Sequence, residues 1–201
     1  MPLVNSYSTL DALKRRLRLT AGDDDARLES CLTAASRQID RVTGRRFYAA
    51  TDTRYYTATD PYCLDLVDDL RTVTTLKTDE DGDRTYEITW DSSDDYYLAP
   101  YNAATDSQPY TSIEVDRVNG DYTFPSTVRG VQIVGSFGYC ATGSQPAEIE
   151  EACLRMAERL YVLPTAPLGV AGSAETGIIR IATDRDVQEL LWPFRRRRGF
   201  A

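Results

Sequence analysis

The 201-residue sequence predicts an α+β protein, a helical bundle interrupted by a β-rich antiparallel insert. Three observations predict it. Apolar residues recur at helical spacing near both ends of the chain. Between those ends lie short β-branched and aromatic segments punctuated by turn dipeptides. The charge divides in the same way: residues 51–125 hold 17 Asp/Glu against 5 Lys/Arg, a net of −12, while the remainder holds 14 acidic against 18 basic, a net of +4. The expected division is a bundle domain at 1–44 and 145–201, with the acidic insert at 45–144.

The first helix is expected to start at Ser8 or Thr9, whose hydroxyls can cap free N–H groups, with Asp11 adding negative charge to the first turn. Leu10, Leu13 and Leu17 form its apolar stripe. Asp23, Asp24 and Asp25 are expected to cap a second helix that carries Leu28, Cys31, Leu32, Ala35, Ile39 and Val42 and stops at Gly44. Strands are then expected at Phe47-Tyr48, Arg54–Ala58, Cys63–Leu66 and Val73–Thr78. Asp81-Gly82 reads as a hairpin turn between Leu76–Asp79 and Thr85–Trp90, and Asn119-Gly120 as another between Ile113–Val118 and Asp121–Phe124. Tyr96–Pro100 reads as loop and edge material, and Val128–Tyr139 as the longest strand, with glycines that suggest a bend or close backbone packing.

Helix is expected again after Pro146, with Ile149, Cys153, Met156, Leu160 and Leu163 on one face and Pro164 as the stop. A Gly-rich loop, 165–177, and a strand-like island, Ile178–Ile181, should follow. A last helix from Thr183 or Asp184 carries Val187, Leu190, Leu191 and Phe194, is ended or kinked by Pro193, and runs into Arg195–Arg198. Leu13, Leu17, Leu32, Ile39, Met156 and Leu160 are the expected core of the bundle.

The composition excludes several chemistries. There is no histidine, which removes Ser-His-Asp and Cys-His nucleophile systems and His metal ligation. Cys31, Cys63, Cys140 and Cys153 form no C-x-x-C pair, so they read as buried reduced thiols. No stretch of 18 apolar residues is present, so no membrane span is expected, and Met1–Leu10 lacks the features of a secretion signal. Neither phosphate-binding glycine motif occurs, and no cofactor is expected. Asp79–Asp83 resembles the opening of a calcium loop, but Arg84 and Trp90 stand where the loop requires Gly and Glu, so no metal site is assigned. Carboxylates such as Asp68-Asp69, Asp94-Asp95, Glu114 and Asp116 are abundant. No pair stands out as an acid-catalysed hydrolase, and the acids read as a solvated face. The 13 tyrosines leave open a ligand- or receptor-binding module as an alternative.

The order of motifs resembles the head–tail connector (adaptor) proteins of long-tailed phages, in the longer form with a β-rich insert. The resemblance rests on the Leu-rich first helix, Ala34-Ala35-Ser36-Arg37-Gln38-Ile39-Asp40 and Gly44-Arg45-Arg46-Phe47. Towards the C-terminus it rests on Pro146, Ile149, Ala152 and Leu160-Tyr161, on Ala166-Pro167-Leu168-Gly169, and on Asp186-Val187, Leu190-Leu191 and Phe194-Arg195-Arg196. It implies a structural, non-enzymatic virion protein: a dodecameric ring of this chain beneath the portal protein at the capsid vertex, assembled in the host cytoplasm. Such a ring extends the DNA channel, passes DNA without specific binding, and receives a stopper or tail protein. Three sets of residues are the expected contacts. Leu190, Leu191, Trp192, Phe194, Arg195, Arg196, Arg197 and Arg198 would dock on the portal, combining an apolar anchor with cations. Gly169, Ile178, Ile179, Arg180 and Ile181 would contact a neighbouring subunit, and Asp79, Glu80, Asp81 and Asp83 would line the channel and repel phosphates.

Overall fold

A computed structural model describes residues 4–162 and 185–196. The predicted α+β class is the class observed. The chain divides into two compact units, Met1–Arg45 with Gly143–Ala201, and Arg46–Thr142.

The first unit is helical, with α1 at Leu10–Leu17, α2 at Asp25–Thr43, α3 at Ala147–Val162 and α4 at Arg185–Leu191, extended by a 3₁₀ turn at Trp192–Phe194. Thr9 caps α1 by accepting the Ala12 N–H at 3.2 Å, and Gly44, at φ 69°, closes α2 with its N–H on the Asp40 carbonyl at 2.8 Å. Asp24 sits at the cap position of α2 but gives no side-chain cap. Its carboxylate accepts the Tyr161 hydroxyl at 2.6 Å instead, tying α2 to the end of α3. The core contains Leu13, Leu28, Leu32, Ala35, Ile39, Ile149, Ala152, Cys153 and Ala157, with Met156 beside them and Val187 and Leu191 closing it from α4. Leu17 and Leu160 are only half-buried, because they lie at the borders of their apolar stripes. The buried Ser36 hydroxyl is fully used: it donates to the Leu32 carbonyl at 2.8 Å and accepts the Tyr7 N–H at 3.0 Å. The Tyr7 hydroxyl in turn bonds Asp40. On the surface of the unit, Arg16 bridges Glu151 at 2.9 Å and Glu158 at 2.7 Å, joining α1 to α3.

The second unit is a six-stranded antiparallel sheet, ordered β1-β6-β2-β5-β4 with β3 paired to β2. The strands are β1 (Ala50–Tyr56), β2 (Cys63–Thr78), β3 (Ile88–Thr89), β4 (Tyr96–Ala99), β5 (Tyr110–Val115) and β6 (Val131–Phe137). Its core gathers Leu64, Leu70, Leu76, Ile113, Val131, Ile133 and Phe137 around Trp90. The Trp90 ring stacks on Phe124 at 4.7 Å and 12°, and its indole N–H donates to the Thr78 hydroxyl at 3.0 Å. At Gly135 any side chain would fail, since a Cβ would stand 2.2 Å from the Thr72 carbonyl oxygen of the neighbouring strand.

Five strand expectations are corrected. Phe47-Tyr48 is not a strand; Phe47 is a buried anchor that packs on Tyr139 at 5.1 Å. The first strand runs from Ala50 to Tyr56, earlier than Arg54–Ala58. Cys63–Leu66 and Val73–Thr78 are two ends of one 16-residue strand, which pairs with β5 at its start and β6 at its end, with irregularities between. The second arm of the Asp81-Gly82 hairpin shrinks to Ile88–Thr89. No hairpin forms at Asn119-Gly120, and Asp121–Phe124 is not a strand. Tyr96–Ala99, expected as loop and edge material, is the edge strand β4, paired from Tyr96↔Val115 to Ala99↔Ser112. The expected loop 165–177 and island Ile178–Ile181 lie outside the described residues, as do Gly169, Arg197 and Arg198.

Candidate functional site

The acidic insert is not simply a solvated face. Asp69, Asp79, Asp95 and Asp116 are all buried. Three of them organise loops by accepting backbone N–H groups, the recurrent work of Asp in turns. Asp79, 2% exposed, accepts Gly82 N–H at 2.8 Å and Arg84 N–H at 2.9 Å, which curls the turn and leaves little chain for a long second arm. This corrects its expected place on a channel wall: Asp79 is structural, while Glu80, Asp81 and Asp83 are exposed. One oxygen each from Asp79, Asp81 and Asp83 lies within 4.8 Å of the others. Both Asp79 oxygens, however, already serve the loop backbone.

Asp116 explains the missing hairpin. Its carboxylate accepts Val118 N–H at 2.8 Å, Asn119 Nδ2–H at 2.9 Å and the Tyr97 hydroxyl at 2.7 Å. Chiefly through the Val118 N–H, these bonds hold it down to about 2. The Gly120 N–H donates to the Asp116 carbonyl at 2.9 Å, closing the loop on itself. Asp95 ties a second loop to this one: its carboxylate accepts Asp91 N–H at 2.6 Å and Asp121 N–H at 3.4 Å, and its carbonyl accepts Asp116 N–H at 2.8 Å. Tyr97, Tyr101, Val118, Asp94 and Asp121, in and beside these loops, are exposed. Tyr97 and Tyr101 meet edge-on at 6.3 Å, and Tyr101 bonds Glu114. The sequence reading missed this double loop. Its signal is the Asp-x-x-Asn-Gly run at 116–120, in which Asp competes with the Asn-Gly turn.

Other candidate acids are similarly spent. Asp68 accepts Arg54 at 2.8 Å and the Tyr56 hydroxyl at 3.0 Å, and burial first, then the Asp68 charge, pushes that phenol far up. Burial also raises the Cys140 and Cys153 thiols to about 11, so both stay protonated at neutral pH.

At the C-terminal end the expected docking set separates. Leu191, 2% exposed, is core and cannot also be a surface anchor. Leu190 and Phe194 are half-buried. Trp192 is 66% exposed, and the Arg195 guanidinium lies 5.7 Å from the centre of its ring. The Arg196 N–H donates to the Thr43 carbonyl at 2.8 Å and the Arg195 side chain to the Val42 carbonyl at 3.4 Å. The start of the arginine run is therefore held at the C-terminal end of α2, where the helix dipole favours cations.

Residues 7–74 match the family model described as phage gp6-like head-tail connector protein. No curated protein matches the sequence. Among solved structures, a chain in the neck of a native gene transfer agent (GTA) particle, computed with C12 symmetry, matches at TM-score 0.61 and 18% identity. All of this chain and 94% of that one are covered. A chain from the neck of the empty GTA particle, computed with C6 symmetry, matches at 0.60 and 18%, covering 100% and 95%. One from the virion of the native particle matches at 0.61 and 20%, also covering 100% and 95%. These likenesses show a shared fold along the whole chain, both units included.

Proposed function

We propose that this chain is a structural neck protein, a head-to-tail adaptor that assembles into a ring beneath the portal of a tailed particle. The observation that carries the reading is the full-length fold likeness to neck chains, together with the connector family match at the N-terminal helices. In this role the ring extends the DNA channel and offers a platform to a stopper or tail protein. The chain acts in the virion neck after assembly in the host cytoplasm.

The portal contact is assigned to Trp192, Phe194, Arg195 and Arg196, continuing through Arg197 and Arg198. An exposed indole beside arginines, held on a helix end, has the composition of an interface anchor with orienting charges. Leu191 supports that segment from inside the bundle. Glu80, Asp81 and Asp83 are exposed carboxylates suited to a channel wall that repels phosphate and lets DNA slide. The island Ile178–Ile181, with Gly169, is proposed to meet a neighbouring subunit.

The test is portal capture. Trp192→Ala combined with Arg195→Ser and Arg196→Ser should reduce binding to the portal about tenfold or more and flatten its salt dependence, with the helical circular dichroism unchanged. A chain truncated before α4 is a poor test, since it also removes buried Val187 and Leu191. Unchanged capture by the triple variant would move the portal contact elsewhere.

A further inference from the structure

We propose that the double loop of the β unit is an arginine-recognition surface, and that its occupant is α1 of the next copy of this chain. The inference rests on the ring reading above and adds the contact that closes it. The surface is built before any partner arrives. Buried Asp95 and Asp116 lock residues 91–95 and 116–121 together through backbone N–H groups, so little ordering remains to be done on binding. The locked loops and the adjoining β4 expose Tyr97, Tyr101 and Val118, the last 87% exposed, and the carboxylates of Asp94 and Asp121. The Asp116 hydrogen bond and charge raise the Tyr97 phenol first, then burial, with the Asp94 charge adding last.

This chemistry fits a guanidinium, which stacks on a phenol ring and pairs with carboxylates at once. The molecule sets a guanidinium over a phenol ring elsewhere: Arg117 lies 3.9 Å from the Tyr62 ring centre, Arg129 4.7 Å from Tyr55, and Arg27 4.7 Å from Tyr161. The complementary cations are Arg15 and Arg18 at the end of α1. Both are exposed, three residues apart, and neither pairs with a carboxylate among the described residues. The charge imbalance, −12 in residues 51–125 and +4 in the rest, becomes an attraction when the β unit of one copy meets the helical unit of another. Because the two faces differ, the contact is head-to-tail, the kind that generates rings.

The experiment is a charge exchange followed by sedimentation velocity at low and high salt. The proteins are the wild type, D94R/D121R, R15E/R18E and the chain bearing all four substitutions, each checked for fold by circular dichroism. Each double variant should associate at least about tenfold more weakly than the wild type. Mixing the two double variants should restore association in oligomers that alternate the two, since both mixed contacts pair opposite charges while each variant repels itself. The quadruple variant should recover association to within a few-fold. Equal association by all four proteins, or a quadruple variant no better than the doubles, overturns the contact while leaving the ring intact. A wild type that stays monomeric, both alone and on its portal, overturns the ring reading and this contact with it.

Discussion

Trp90→Ala is the sharpest probe of the β unit. Trp90 is 4% exposed, stacks on Phe124 at 4.7 Å, lies 5.8 Å from Tyr122 and 6.5 Å from Tyr96, and serves the Thr78 hydroxyl. Truncating a fully packed aromatic of this kind costs about 3–5 kcal/mol, the lost transfer energy plus the cavity left behind. Thr78 is itself 1% exposed, so the loss of its donor adds to the cost. Trp90→Phe separates the two effects. It keeps a stacking ring but removes the N–H, and it should cost about 1–3 kcal/mol. Urea denaturation followed by near-ultraviolet circular dichroism reads both, because the aromatic cluster gives that signal. A loss below about 1 kcal/mol for Trp90→Ala would refute the view that this stack centres the core.

Leu32→Ala, at a position with no exposure, should cost the helical unit about 2–5 kcal/mol in the same denaturation assay, and a loss below half of one would refute its core role. Gly135→Ala should prevent the β unit from folding at all, seen as loss of sheet circular dichroism and insoluble expression, because Thr72 O blocks the new carbon. Acid should destabilise the protein in a defined window. Asp116, held down to about 2 against about 3.9 unfolded, contributes stability that is present above pH 4 and lost as the pH falls through 2. Glu151, lowered by Arg155 and then Arg16, acts in the same direction. Asp116→Asn should remove part of this acid limb in a pH series of melting temperatures.

Local signals carried the helical unit. The Thr9 cap, the Gly44 stop and the apolar stripe from Leu28 to Ile39 all depend on near neighbours, and all are found where the sequence places them. The β unit was legible only as strand-rich, because its partners are distant. Cys63–Leu66 and Val73–Thr78 read as two strands, yet one strand runs through both as it changes partner from β5 to β6. Asn119-Gly120 carries a strong hairpin signal, but the Asp116 carboxylate claims the adjacent N–H groups first. At the C-terminus, helical spacing alone does not separate a core stripe from a docking stripe. Val187 and Leu191 proved to be core, and the exposed apolar group is Trp192, one residue beyond. The acidic composition likewise hid two kinds of aspartate, those spent on loop backbone and those left on the surface.

The proposed ring in a particle neck is open to direct observation. A cryo-electron microscopy reconstruction of the neck of the particle that carries this protein tests it most directly. The expected result is a closed ring of copies between portal and tail, with the Trp192–Arg196 segment against the portal. Density at that level that this fold does not fit, or the chain found on the capsid or tail surface instead, would contradict it.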